Sequence, residues 1–286
     1  MRVIVTGAEG QLGHDVVAEC QQRGHEVAAF GRVDLDLTSH TDADERLAAT
    51  SADVVVNCAA MTAVDACETE VERAHAVNEH GVRRLAVACD RHGARLIHVS
   101  TDYVFDGDLD RPYVEDDATG PRSVYGQSKL AGEEAVANVL GDRGTVVRTS
   151  WVCGEHGANM VKLVRRLAPA GNPLAFVDDQ RGCPSFTADL APGLLDLASD
   201  ASGGVFHLTN AGAVSWYEFV AEVLEASGFD RSQVSPISTA ELDPPRPAPR
   251  PMNSVLENRR WVAAGRTPLR DFREPLAELC ERLSTH

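Results

Sequence analysis

The chain has 286 residues, 43% hydrophobic and 24% charged, a composition that excludes a disordered chain and suits one or two globular domains. Its 43 acidic and 27 basic residues leave a formal charge of −16, which argues against a general binder of nucleic acid or anionic membrane. The seven cysteines include no CxxC pair, which speaks against a disulfide scaffold or zinc site and for a reducing, cytoplasmic setting. No apolar run reaches about 18 residues, so no membrane span is expected. Only two of the basic residues are lysines, Lys129 and Lys162.

Residues 2–6 (RVIVT) form a short β-rich run, and residues 11–23 carry helical spacing that ends near Gly24. Strands are expected again at 26–30, 53–56, 95–99 and 145–149, with one long amphipathic helix over 71–92 and another over 123–140. Strands alternating with helices predict an α/β fold with a doubly wound parallel sheet of Rossmann type. The second half is less regular. Helices are expected at 159–168, 187–198 and 215–227, and short strands at 174–177 and 205–208. The proline-rich stretch 243–251 cannot be helix interior and reads as an ordered surface loop. These patterns divide the chain into a nucleotide-binding domain over 1–150 and a smaller α/β substrate lobe over 151–286, with some segments returning to the first domain.

Three motifs carry chemistry. Gly7-Ala8-Glu9-Gly10-Gln11-Leu12-Gly13 directly follows the first strand and opens a helix. Glycines allow a tight turn close to a pyrophosphate, and the helix N-terminus offers free N–H groups. The spacing is GxxGxxG rather than GxGxxG, but the strand before and helix after supply the context for a dinucleotide. The second strand ends in Phe30-Gly31-Arg32 without an acid. Arg32 is thus a candidate ligand for the 2′-phosphate of NADPH, or else an ordinary solvated loop arginine. Asp34 and Asp36, just beyond, keep NADH as the alternative.

Tyr125 and Lys129 are four residues apart, on one face of the expected helix. A neighbouring ammonium favours the phenolate and brings a tyrosine toward use as an acid near neutral pH. With four tyrosines and two lysines in the chain, a chance YxxxK is less to be expected. Thr101 sits in STDYVFDG at the carboxyl end of the strand 95–99, where open α/β sheets bind ligands. Its hydroxyl can hydrogen-bond a carbonyl oxygen as charge develops, although a simple turn cap is the plainer reading of Ser-Thr-Asp taken by itself.

Together these motifs resemble the extended short-chain dehydrogenase/reductase superfamily, and more closely its dTDP-4-dehydrorhamnose reductase family. The likeness runs nearly the whole chain. It includes VVNCAAMTAVDACE (55–68), YGQSKLAGE (125–133), RTSWVCG (148–154), DDQRGCPSFTADLA (178–191) and RPMNSVLENRRW (250–261). The resemblance implies Thr101, Tyr125 and Lys129 as the catalytic set. It implies Gly7, Gly10, Gln11, Leu12 and Gly13 at the pyrophosphate, Asp36 and Leu37 at the adenine side, and Ala59, Ala60 and Thr62 at the nicotinamide. Asp102, Trp151 and Asn159 fall where the family contacts substrate, and Asn78 on a structural asparagine. Met61, Cys153 and Met160 depart from the family's usual residues, which bears on substrate shape. Some relatives dimerise through acidic residues around magnesium; Asp15 and Asp189 match such positions, but with shorter side chains, and no metal is expected.

The implied activity is NADPH-dependent reduction of the C4 keto group of a dTDP-4-keto-6-deoxy sugar, with rhamnose formation the default, by a monomer or homodimer. Other keto sugars of this type would be read by nearly the same motifs. One rival is a regulatory subunit of methionine adenosyltransferase that binds NADP without catalysis. Others are a nucleotide-sugar epimerase and a 4,6-dehydratase; the latter wants Asp-Glu after the threonine, where this chain has Asp102-Tyr103.

Overall fold

The computed structural model describes residues 1–284. Strand β1 (Arg2–Thr6) turns into helix α1 (Gln11–Gln22), followed by β2 (Glu26–Phe30), α2 (Asp42–Thr50) and β3 (Val54–Asn57). Next come α3 (Val64–Thr69), α4 (Val71–His75), α5 (Val82–His92), β4 (Arg95–Thr101), α6 (Val124–Leu140) and β5 (Gly144–Thr149). The remainder comprises β6 (Val152–Cys153), α7 (Met160–Leu167), β7 (Leu174–Val177), β8 (Arg181–Gly182), β9 (Ser185–Phe186), α8 (Thr187–Ser199) and β10 (Gly204–His207). It ends with β11 (Val214–Ser215), α9 (Trp216–Ala226), β12 (Val234–Ile237), α10 (Arg259–Ala263) and α11 (Arg273–Arg282).

Six strands form one parallel sheet in the order β10-β5-β4-β3-β1-β2. The central strand β3 is buried along its whole length, because helices cover both faces of the sheet. On one face α1 and α8 pack Val16, Cys20, Leu190 and Leu194 against Val3, Val5 and Val56. On the other, α2, α5 and α6 pack Leu47, Leu85, Cys89 and Val136 against Ile4, Val55 and Leu96. This is the doubly wound α/β architecture. A third core joins α7, α9 and α11 through Val164, Phe219, Leu224 and Leu276. Strand β10, late in the chain, pairs with β5 at the sheet's edge.

Two local expectations are corrected. The segment 71–92 is not one helix, because a π-helical turn at Ala76–Gly81 separates α4 from α5. Apolar spacing continues across this turn, so periodicity does not reveal it. The extra residue aims Asn78 inward, where it accepts from Met61 N–H and donates to Met61 O and Ser128 Oγ. Helix α2 was not anticipated, because only Ala43 and Leu47 of its nine residues are buried. The proline-rich stretch is held as a loop by Arg250, whose guanidinium pairs with both oxygens of Asp65.

A buried ion pair fastens α6 to the sheet. Arg148 of β5 donates to Glu133 of α6 at 2.7 Å, each side chain 5% exposed, and Ser100 donates to the same carboxylate. Removing one partner strands a buried charge. Glu133→Leu is expected to lower the unfolding free energy by about 3–5 kcal/mol in urea titration; a loss under about 1 kcal/mol would show that the pair does not hold the helix.

Candidate active site

The site begins where β4 ends. Ser123 caps α6, its Oγ accepting from Gly126 N–H at 3.1 Å, and so fixes the register of the first turn. Tyr125 and Lys129 then lie one turn apart, 8% and 2% exposed. Close approach requires two glycines. A Cβ on Gly126 would stand 2.2 Å from Tyr103 O, and one on Gly132 would stand 2.3 Å from Asn78 O. Lys129 Nζ donates to Val99 O at 2.7 Å and lies 3.4 Å from His98 Nε2.

Burial sets the acidities. It pushes Lys129 down to about 8, with Glu133 and Cys58 partly opposing it. Burial also lifts the Tyr125 phenol well above its ordinary range, while hydrogen bonding with Thr101 pulls it back. Thr101 Oγ1 donates to Asp102 Oδ1 at 2.9 Å. Asp102 is 2% exposed and its Oδ2 has no partner. Burial raises it to about 6, with the nearby Ser254 and Thr101 hydroxyls opposing. Thr101, Asp102 and Tyr125 therefore form one cluster, with Lys129 one turn deeper on α6.

A cavity of about 390 Å³ opens at the glycine turn. Gly7, Gly10, Arg32, Asp36, Leu37, Ala59 and Ala60 line it, among the residues expected to meet a dinucleotide. Gly7 has φ +66°, and a Cβ there would stand 2.7 Å from Ala59 N. Helix α1 has no side-chain N-cap and no acid in its first turn, so its leading N–H groups are open to an anion. Arg32 is exposed at the rim. This arrangement fits a dinucleotide phosphate. Glu9, Met61, Arg73 and Val77 also line the cavity and were not anticipated. A second cation at Arg73 had no signal beyond its helical segment.

Other expected residues lie elsewhere or do a second job. Leu12 is buried in the core, and Gly13 is required because a Cβ there would stand 2.1 Å from Gly7 O. Thr62 is exposed and does not line the cavity. Gln11 reaches away from the cavity and ties α1 to the segment before α7. Its amide donates to Ala158 O and accepts from Gly154 N–H and from Asn159, which itself caps α7. Trp151 has φ +46° and stacks on Trp216, ring centroids 3.6 Å apart, with Gly182 pressed against its indole. Asp189 bonds Asn210 and Arg270, whereas Asp15 lies beside His14 and His156, their ligand-capable atoms within 4.8 Å of one another.

A parallel sheet with a glycine turn at β1 and a tyrosine–lysine pair beside the end of β4 defines the class of extended short-chain dehydrogenases/reductases. The family model described as the RmlD substrate binding domain matches residues 1–285. A dTDP-4-dehydrorhamnose reductase of Streptomyces griseus is 46% identical over 98% of this chain and 95% of its own length. A crystal structure of such a reductase from Clostridium acetobutylicum superposes with TM-score 0.95 at 37% identity, covering 99% of this chain and 100% of that one. One from Bacillus anthracis, in complex with NADP, superposes with TM-score 0.92 at 33% identity, covering 99% and 98%. The chain belongs to the RmlD, or dTDP-4-dehydrorhamnose reductase, family.

Asp102 gives a signed test. Its folded value near 6 exceeds the ordinary carboxylate value, so the native state holds the proton more tightly than the unfolded chain. Its ionisation therefore costs stability as pH rises from about 4 through about 6. Asp102→Asn is expected to gain about 3 kcal/mol relative to wild type between pH 4 and pH 8 in denaturant titrations. A pH-independent difference would contradict a buried, proton-holding carboxyl.

Proposed function

We propose that this chain uses NADPH to reduce the C4 keto group of dTDP-4-dehydro-6-deoxy-L-mannose, forming dTDP-L-rhamnose. The observation that carries this reading is the buried Tyr125–Lys129 pair on α6, with Thr101 beside the phenol, at the end of β4. Its place on the edge of the sheet that carries the glycine-turn cavity suits a substrate carbonyl brought against a dinucleotide. The family names support the sugar, and the NADP complex of a relative supports the donor.

NADPH, when bound, supplies the hydride for the sugar's C4. Gly7 and Gly10 would admit its pyrophosphate against the first turn of α1, and Arg32 would meet the 2′-phosphate. Asp36 and Leu37 would flank the adenine; Ala59 and Ala60 would line the path to the nicotinamide. Tyr125 holds the proton that the carbonyl oxygen takes up as it becomes a hydroxyl. Thr101 hydrogen-bonds that oxygen while it carries negative charge. Lys129 steadies the phenolate left on Tyr125 and would donate to the cofactor ribose. Asp102, Trp151 and Asn159 are assigned to substrate contact. Residues 1–150 would serve as the nucleotide domain and 151–286 as the main substrate lobe. Among the described residues no helix is long and apolar enough to cross a membrane. The seven unpaired thiols favour a reducing compartment.

Two variants test the assignment. Tyr125→Phe should lower kcat for the keto sugar about 10²–10⁴-fold and leave the NADPH dissociation constant within about twofold; undiminished turnover would remove Tyr125 from the chemistry. Arg32→Ala should raise KM for NADPH about tenfold or more and leave KM for NADH unchanged. Equal effects on both donors would place the 2′-phosphate elsewhere.

A further inference from the structure

Beneath Lys129 lies a chain of buried polar groups that the proposed mechanism does not use. It starts at a group whose polarity is fixed, the backbone N–H of Ala59, which can only donate. That N–H donates to Asn57 Oδ1 at 3.1 Å, and the Thr6 hydroxyl donates to the same oxygen at 2.6 Å. The Asn57 amide cannot be reversed without setting N–H against N–H. Its Nδ2 therefore faces His98 Nδ1, at 2.9 Å, as the donor. His98 is fully buried, and burial together with Lys129 pushes its pKa far below the ordinary imidazole value, so the ring is neutral. A neutral imidazole that accepts at Nδ1 carries its proton on Nε2. That N–H points at Lys129 Nζ, 3.4 Å away.

We propose that His98 is a positioning residue for Lys129: it presents a fixed N–H to the amine and disfavours the ammonium form. This rests on the role given to Lys129 above. An amine satisfies the whole set, since Nζ can donate to Val99 O and accept from His98. An ammonium satisfies Val99 but turns a donor toward a donor. The other groups facing Nζ are Glu133, whose carboxylate favours the charged form, and the Cys58 thiol. Tyr125 stands one turn back on the same helix. The Cys58 thiol is itself pushed up to about 12 by burial and stays neutral. A lysine poised in this way gains or loses a proton at little cost, which suits a reduction that takes up one proton per turnover.

The test uses the free protein and needs no substrate. Nitrogen-15 NMR of the imidazoles should show His98 with a bare Nδ1 and a protonated Nε2. Because the chain has only two lysines, carbon-13 labelling at Lys Cε yields two signals, and Lys162→Arg assigns them. Lys129 should titrate at or below about 8. His98→Asn keeps an acceptor for Asn57 and removes the N–H toward Lys129. In that variant the Lys129 midpoint should rise by about half a pH unit or more. A proton on Nδ1, an imidazolium, or an unmoved midpoint in a folded His98→Asn protein would overturn the proposal. If that variant does not fold, the wild-type tautomer decides. Failure to reduce a keto sugar would count against the proposed function but would leave these signals unchanged.

Discussion

A lysine side chain sunk between β4 and α6 is the constraint on which the site depends. Lys129 is 2% exposed and hydrogen-bonds the backbone carbonyl of Val99. An ammonium in such a place loses hydration, which is why its affinity for protons falls. An arginine would stay charged and would need a wider, forked acceptor set. The arginine-rich composition shows how rarely this chain keeps a lysine, and one of its two stands at this position.

To hold that lysine, α6 must press against the sheet and against the bent helix beside it. Gly126 and Gly132 allow the approach, since neither position has room for a Cβ against the facing backbone oxygen. The π-helical turn brings Asn78 to Ser128 in the middle of the same helix. The Glu133–Arg148 pair then locks the next turn to β5. These contacts are buried and polar, a costly choice for stability alone. They fix the rotation of α6 and thereby the direction in which Tyr125 and Lys129 point. Asp102 adds to the cost, as a carboxyl with an unpartnered oxygen at the open end of β4.

The sequence made the sheet legible because its inner strands β1, β3, β4 and β5 are short, largely apolar runs buried on both faces. The glycine turn and YxxxK were legible because chemistry restricts those positions to particular residue types. What escaped was tertiary in origin. AVNEHG keeps helical apolar spacing, so only the contacts of Asn78 reveal the bend. Gln11 belongs to the glycine motif, yet its side chain bridges to Gly154 and Asn159 across 143 and 148 residues of chain. Arg73 enters the cavity wall from a helix whose sequence only marks it as amphipathic. The fixed tautomer of His98 follows from the N–H of Ala59 through the side chain of Asn57, which lies 41 residues from His98 in the chain.

Fold and family make the chain a member of a keto-sugar reductase family, and the proposed chemistry transfers hydride to C4 of the sugar beside Tyr125 and Thr101. The most direct measurement supplies NADPH deuterated in turn at each face of nicotinamide C4 and follows the dTDP-4-keto-6-deoxy sugar by NMR. One of the two labelled donors should place deuterium on C4 of the sugar, in step with NADPH oxidation, and the product should have the rhamno configuration. Oxidation of NADPH without deuterium at C4, from either face, would contradict that chemistry.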